Sequence, residues 1–207
     1  MRGAREWDDY YATNDDPWRR PDDDLVTEVA SLPAGRALDL GAGEGADSLW
    51  LACRGWEVTA VDQSAAAIGT LLRLAVNEGL TVRVEIADVA EYRSDAAYDL
   101  VLICHMHLPG ELRSRILANA AAALAPGGLL LLIGIAAADA RDGAAGSGAL
   151  LAMPDEVLGA LPELSIERCE VRCRTIRCLE NDLPSDVMLV SARRPISDDA
   201  EHPGRSD

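Results

Sequence analysis

From Ala37 to Gln63 the chain reads ALDLGAGEGADSLWLACRGWEVTAVDQ, and this stretch decides the fold. A short apolar run, RALDL, passes directly into glycines at 41, 43 and 45, then into a helical segment from about Gly45 to Arg54, then into a second apolar run, EVTAVD. Strand, glycine turn, helix and strand make a β-α-β unit. Its glycines let the backbone turn tightly and approach a ligand at the carboxyl edge of a sheet. One residue is out of place: Asp39 is an acid inside an apolar strand, two positions ahead of the first glycine.

The same alternation continues outward. VRVEIAD, YDLVLIC and GLLLLIGI read as further strands, rich in Val, Leu and Ile as parallel strands covered on both faces are. Ser64 is a good N-cap for a helix running to about Glu78, and another helix is opened by Pro109 and closed by APGG at Ala125 to Gly128. An Ala/Gly-rich loop, 136–150, follows the fifth strand; then come a helix from Pro154 and two strands around Glu167 to Thr175 and Val187 to Arg193. Two close-spaced strands after a helix suggest an antiparallel hairpin at the edge of a doubly wound sheet. The expected organisation is an N-terminal lid or helical segment over 1–35, an α/β domain over 36–195 and a disordered acidic tail over 196–207.

With 207 residues the chain can bury about 70% of its unfolded surface as one domain. All 19 basic residues are Arg, so Schiff-base chemistry and a P-loop lysine are excluded. A net charge of -16 repels polyanions, and no nucleic-acid partner is expected. The start MRGAREWDDYY has no apolar run of signal type and LLLLIGI is too short to span a bilayer, so a cytoplasmic protein without a membrane partner is expected. An odd count of 5 cysteines suits reduced thiols. In SIERCEVRCRTI the spacing of Cys169 and Cys173 is that of a half-buried strand, so no metal site is expected. Oligomeric state is not legible.

GAGEGA satisfies the dinucleotide pattern G-x-G-x-x-G/A when Ala46 is read as its last position, so the glycines alone fit either a nicotinamide cofactor or S-adenosylmethionine. Asp39 favours the latter. A carboxylate beside a bound pyrophosphate costs Coulomb energy, whereas S-adenosylmethionine carries an α-ammonium and a sulfonium. Asp62 ends the second strand where a carboxylate accepts ribose hydroxyls, and Asp88 ends the third where one takes the adenine amine. Gln63 and Val89 flank them. The competing reading of each acid is a turn cap.

In CHMHLP, His105 and His107 stand at the end of the fourth strand, beside the expected methyl group, as bases for an attacking hydroxyl or amine or as the pocket's floor. Trp7, Tyr10, Tyr11 and Trp18 are half of the aromatics in a chain with 4 Trp, 4 Tyr and no Phe. They form a lid that excludes water and faces a cation, or they pack the first helix onto the sheet.

VASLPAGRALDLGAGEGADSLWLACRGWEVTAVDQSAAAI, EIAD, YDLVLICHMHLP and LAPGGLLLLIG together resemble the successive motifs of class I S-adenosylmethionine-dependent methyltransferases, particularly the tellurite-resistance and thiopurine-methyltransferase-like group. The resemblance covers roughly Trp7 to Arg193. It implies a Rossmann-like, mostly parallel seven-stranded sheet with an antiparallel last strand, S-adenosyl-L-methionine as cofactor, and methyl transfer to a small-molecule O, N or S acceptor. It places cofactor contacts on Asp39, Gly41, Gly43, Asp62, Gln63, Asp88, Val89 and the segment Cys104 to His107; Ala42 within the turn is taken with them, and the N-terminal aromatic cluster adds Trp18 on the cofactor side and Trp7 and Tyr11 on the substrate side. Many relatives have Cys where Ala42 stands, a change without consequence for backbone contacts. A nicotinamide-dependent oxidoreductase and a cofactor-binding module without turnover are the alternatives.

Overall fold

A computed structural model of the chain describes residues 3–13, 19–106, 110–136, 154–177 and 182–196, with the backbone alone at 176, 177, 182 and 183. Trp18, His107, the loop residues 137–150 and residues 197–207 of the expected tail lie outside the described residues. The strands are β1 (Arg36–Leu40), β2 (Glu57–Asp62), β3 (Arg83–Ile86), β4 (Tyr98–Cys104), β5 (Leu124–Ile135), β6 (Ser165–Arg177) and β7 (Asp182–Arg193). The helices are α1 (Ala4–Ala12), α2 (Asp23–Val29), α3 (Ala46–Cys53), α4 (Ala65–Glu78), α5 (Gly110–Ala123) and α6 (Pro154–Gly159).

One seven-stranded sheet runs in the order β3-β2-β1-β4-β5-β7-β6. The neighbours β3, β2, β1, β4 and β5 pair in parallel, while β7 is antiparallel to both β5 and β6. This is the expected Rossmann-like sheet with a reversed last strand. Its order reverses between β1 and β4, which opens a crevice at the carboxyl ends of those two strands.

Apolar residues divide over the two faces. Leu25 and Val29 of α2, Leu49 and Leu51 of α3, and Leu71 and Leu74 of α4 meet Ala37, Val58, Leu100 and Leu102 on one side. On the other, Ile116, Leu117 and Ala120 of α5 and Val157 of α6 meet Leu38, Leu40, Val101 and Leu130. Strands buried from both sides cannot alternate apolar and polar residues, which is why RALDL and GLLLLIGI read as continuous runs.

Two expectations are corrected. APGG does not close a helix, because β5 already starts at Leu124, pairing Tyr98 with Leu124 and then, across an irregularity, Leu100 with Leu129. Gly128 is required there: a Cβ would stand 2.7 Å from the Tyr98 carbonyl oxygen. Nor does β6 bury alternate residues throughout. It is the sheet's edge, and Cys173 is exposed while Cys169 is half-buried.

Candidate active site at the carboxyl edge of the sheet

β1 ends at Leu40 and the chain turns through three glycines with positive φ, Gly41 (78°), Gly43 (53°) and Gly45 (86°), a region open to residues without a Cβ. The turn is fastened to β2, since the amides of Gly41 and Ala42 both donate to the Val61 carbonyl at 2.8 and 3.1 Å. Gly45 is the N-cap of α3 and supplies no side-chain acceptor. The partial positive charge of the α3 N-terminus therefore faces whatever acids and ligands lie around the turn.

Those acids are close. Asp39 is 2% exposed, sealed beneath the turn with its Oδ2 accepting the Ser48 hydroxyl at 2.6 Å. Burial above all, then the carboxylates of Asp47 and Asp62, pushes its pKa up to about 7 against the Ser48 hydrogen bond. Asp62 is 8% exposed and ties the turn to the start of α4, taking the Gly43 amide on Oδ2 at 2.9 Å and the Ser64 amide on Oδ1 at 2.8 Å. Burial raises its pKa too, and those backbone donors only partly offset it. The Gln63 amide also bonds this carboxylate, and of its roughly four acceptor positions one is left for a ribose hydroxyl. Asp88 lies two residues beyond β3 rather than at its end; it is exposed and caps its own turn through the Ala90 amide at 2.9 Å. Gln63 and Val89 are half-buried beside the two loops.

Three side chains come to this edge without a signal in the local sequence. Asp47, in the first turn of α3, accepts the Asp22 amide at 2.9 Å and the Cys104 thiol, and burial raises its pKa. The buried Cys104 thiol is itself pushed well above the usual cysteine range, by burial first and then by the surrounding carboxylates. Asp22 is the N-cap of α2: its Oδ1 accepts the Asp24 amide at 2.8 Å, while its Oδ2 faces His105 Nε2 at 2.8 Å and Arg174 Nη2 at 2.5 Å. Burial alone would raise the Asp22 pKa, but the bonds from His105 and Arg174 outweigh it and the net direction is down. Arg172 and Arg174 also reach Asp24, so β6 grips the start of α2. Residues 22, 105 and 174 are far apart in the chain and only the folded sheet assembles them.

His105 is the described non-glycine residue with positive φ, 51°, and its amide donates to the Ile133 carbonyl at 2.7 Å. This turns the chain sharply after β4 and brings the ring back toward Asp22. Asp22, Cys104 and His105 offer ligand atoms within 4.8 Å of one another. A metal ion there would compete with the Arg174 guanidinium for the same Asp22 oxygen, so the donor set suits the arginine.

Above the turn sit Met106, whose Cε lies 2.4 Å from where a Cβ on Gly41 would stand, and the Tyr11 hydroxyl, 3.0 Å from the equivalent point on Gly43. Tyr11 belongs to α1, where Trp7 stacks on it with ring centroids 5.7 Å apart and Tyr10 meets both edge-on. α1 buries none of its residues and packs against the start of α4 instead of against the sheet. Asp8 Oδ1 holds it there, accepting the Ser64 hydroxyl at 2.6 Å and the Ala66 amide at 3.1 Å. Trp56 is core and Trp50 carries Arg54 over its ring, so neither faces the site.

A glycine turn, buried acids at a helix N-terminus and a crevice where strand order reverses now call for comparison with known proteins. The family model for the tellurite resistance protein TehB matches residues 5–148. The chain belongs to the TehB family. Among solved structures, TehB from Haemophilus influenzae superposes with a TM-score of 0.73 at 18% identity over 92% of this chain and 66% of that one. The N-methyltransferase NodS from Bradyrhizobium japonicum, in complex with S-adenosyl-L-homocysteine, superposes with a TM-score of 0.68 at 20% identity over 93% and 98%. The shared fold is that of class I S-adenosylmethionine-dependent methyltransferases. Hemagglutinin 1 of Eikenella corrodens is 32% identical over 107 residues, 51% of this chain and 36% of that protein. The chain thus spans about a third of the length of that relative. No helix among the described residues is long and apolar enough to cross a membrane.

Proposed function

We propose that this TehB-family protein transfers the methyl group of S-adenosyl-L-methionine to an O, N or S atom of a small-molecule acceptor by in-line displacement. The observation that carries the reading is electrostatic. Asp39 and Asp62 are buried and Asp47 half-buried around the first turn of α3, where a dinucleotide would set its pyrophosphate. Those acids repel a phosphorylated ligand and attract a cationic one, which argues against the nicotinamide alternative. Bound there, the cofactor supplies an electrophilic methyl group on a sulfonium that leaves as a neutral thioether.

The protein's own part is placement. Gly41, Ala42 and Gly43 present backbone to the ligand, Asp39 attracts its cationic end through the turn, and Asp62 accepts a ribose hydroxyl. Asp88, Gln63 and Val89 line the adenine side. Met106 and Tyr11 cover the turn and yield to an incoming ligand, and α1 with Trp7 and Tyr11 closes over the acceptor to exclude water. Holding donor and acceptor in line supplies roughly 7 to 11 kcal/mol. His105 stands past β4 as the base that takes the acceptor's proton, a contribution of about 10²- to 10⁴-fold.

Isothermal titration with S-adenosylhomocysteine and with NAD tests the cofactor. Binding of the former and not the latter is expected; the reverse result, or no binding of S-adenosylhomocysteine, overturns the reading. Methyl release from labelled cofactor against a metabolite panel then separates an enzyme from a binding module without turnover.

A further inference from the structure

We propose that Asp22 is the positioning residue for His105, locking the ring in the tautomer that carries its hydrogen on Nε2 and leaves Nδ1 as the proton acceptor. The proposal rests on the reading of His105 as the base. Its own support is the set of contacts around one carboxylate. Asp22 Oδ1 is committed to capping α2 through the Asp24 amide, and its backbone amide is committed to Asp47. Only Oδ2 remains for His105, and there it also receives Arg174 at 2.5 Å. A side chain 6% exposed and fixed at three points cannot swing to suit either tautomer.

The charge state then dictates where the hydrogen lies. A carboxylate with two cationic or polar donors on one oxygen is an acceptor only, so the 2.8 Å contact with Nε2 requires the hydrogen on the ring nitrogen. The left-handed backbone at His105 keeps the ring turned to Asp22. During transfer the acceptor's bond to hydrogen breaks, its electron pair forms the new bond to carbon, and the old carbon–sulfur pair stays on sulfur. The released proton goes to Nδ1, and the imidazolium that forms is stabilised by Asp22 across Nε2.

Asp22→Asn is the informative variant because Asn caps a helix as well as Asp does, so α2 is retained. With the amide oxygen on the Asp24 amide, the NH2 faces both Nε2 and Arg174 Nη2, and a guanidinium accepts no hydrogen bond; Asp22→Asn is therefore made together with Arg174→Met and compared with Arg174→Met alone, so that the NH2 asks Nε2 to accept. In long-range proton–nitrogen correlation spectra of the histidine-labelled full chain, with His105 assigned from His105→Gln, the wild type is expected to show one neutral tautomer with hydrogen on Nε2. Compared with Arg174→Met alone, the double variant is expected to show a mixture or the opposite tautomer. Methyl release to the acceptor panel should fall about ten- to a hundred-fold from Arg174→Met to the double variant, less than in His105→Gln. A wild-type ring with hydrogen on Nδ1, or a tautomer unchanged between Arg174→Met and the double variant, overturns the proposal. Wild-type turnover in His105→Gln overturns instead the base reading beneath it, whatever the spectra show.

Discussion

Replacing Asp39 by Asn should stabilise the unliganded protein and weaken the ligand it binds, and the size of the first effect follows from burial. A carboxyl whose pKa is 3.8 when unfolded and about 7 when folded holds its proton more tightly in the native state. Below about pH 4 both states are protonated and nothing is lost. As pH rises from about 4 to about 7 the unfolded chain releases the proton while the folded chain keeps it, so stability falls, and above 7 the full cost is present. At 1.36 kcal/mol per unit this amounts to about 1.6 kcal/mol at pH 5 and about 4 kcal/mol at pH 8. Asn removes that cost and retains an oxygen for the Ser48 hydroxyl. Urea denaturation should therefore find Asp39→Asn more stable than wild type, with the margin widening from pH 5 to pH 8.

The same charge governs binding. A ligand ammonium set toward Asp39 holds it ionised, and S-adenosylhomocysteine keeps the α-ammonium though not the sulfonium, so wild-type affinity for it should strengthen up to about tenfold per pH unit between pH 5.5 and 7, with proton release, and level off above. Asp39→Asn should bind more weakly and lose that slope. A variant no more stable than wild type at pH 8, with its affinity intact, would refute the electrostatic argument for this site.

The glycines of the turn should differ in kind. Gly45→Ala sets a Cβ 2.4 Å from the fully buried Leu71 Cγ, at φ 86°, and should cost about 2 to 4 kcal/mol by urea denaturation. Gly41→Ala meets only the flexible tip of Met106, so about 1 to 2 kcal/mol of backbone strain and a marked loss of ligand affinity are expected. Asp62→Ala strands the amides of Gly43 and Ser64 and should cost about 2 to 4 kcal/mol together with most of the cofactor affinity, read by denaturation and titration calorimetry. Hydrogen bonds from Ser64 and Ala66 hold the Asp8 carboxyl below its usual range, so the tether of α1 is complete above about pH 4 and lost as pH falls further. Asp8→Ala should expose α1 to hydrogen exchange and proteolysis at pH 7 while leaving the global unfolding midpoint where it is.

Much of this molecule is written locally. Gly41, Gly43 and Gly45 sit between two apolar runs, and only glycine adopts three left-handed turns in five residues at low cost, so the β-α-β unit and its ligand edge are legible from Ala37 to Gln63. Asp39 and Asp62 could be named because each interrupts or ends an apolar strand. The start of β5 is not legible locally because Pro and Gly normally punctuate helices, and only the packing of Gly128 against Tyr98 shows why glycine stands inside a strand.

Asp22, Asp47 and Arg174 had no such signal. Asp22 stands in the run DDD and Arg174 in an Arg-rich strand, where each reads as a solvated charge. Asp22 meets His105 across 83 residues and Arg174 across 152. Periodicity and turn chemistry act over a few residues, so the sequence by itself determined the sheet, its reversed last strand and the acidic glycine turn. Which charges share one carboxylate oxygen depends on how strands β4 and β6 and the cap of α2 converge in space, and that was decided only when the sheet closed them together.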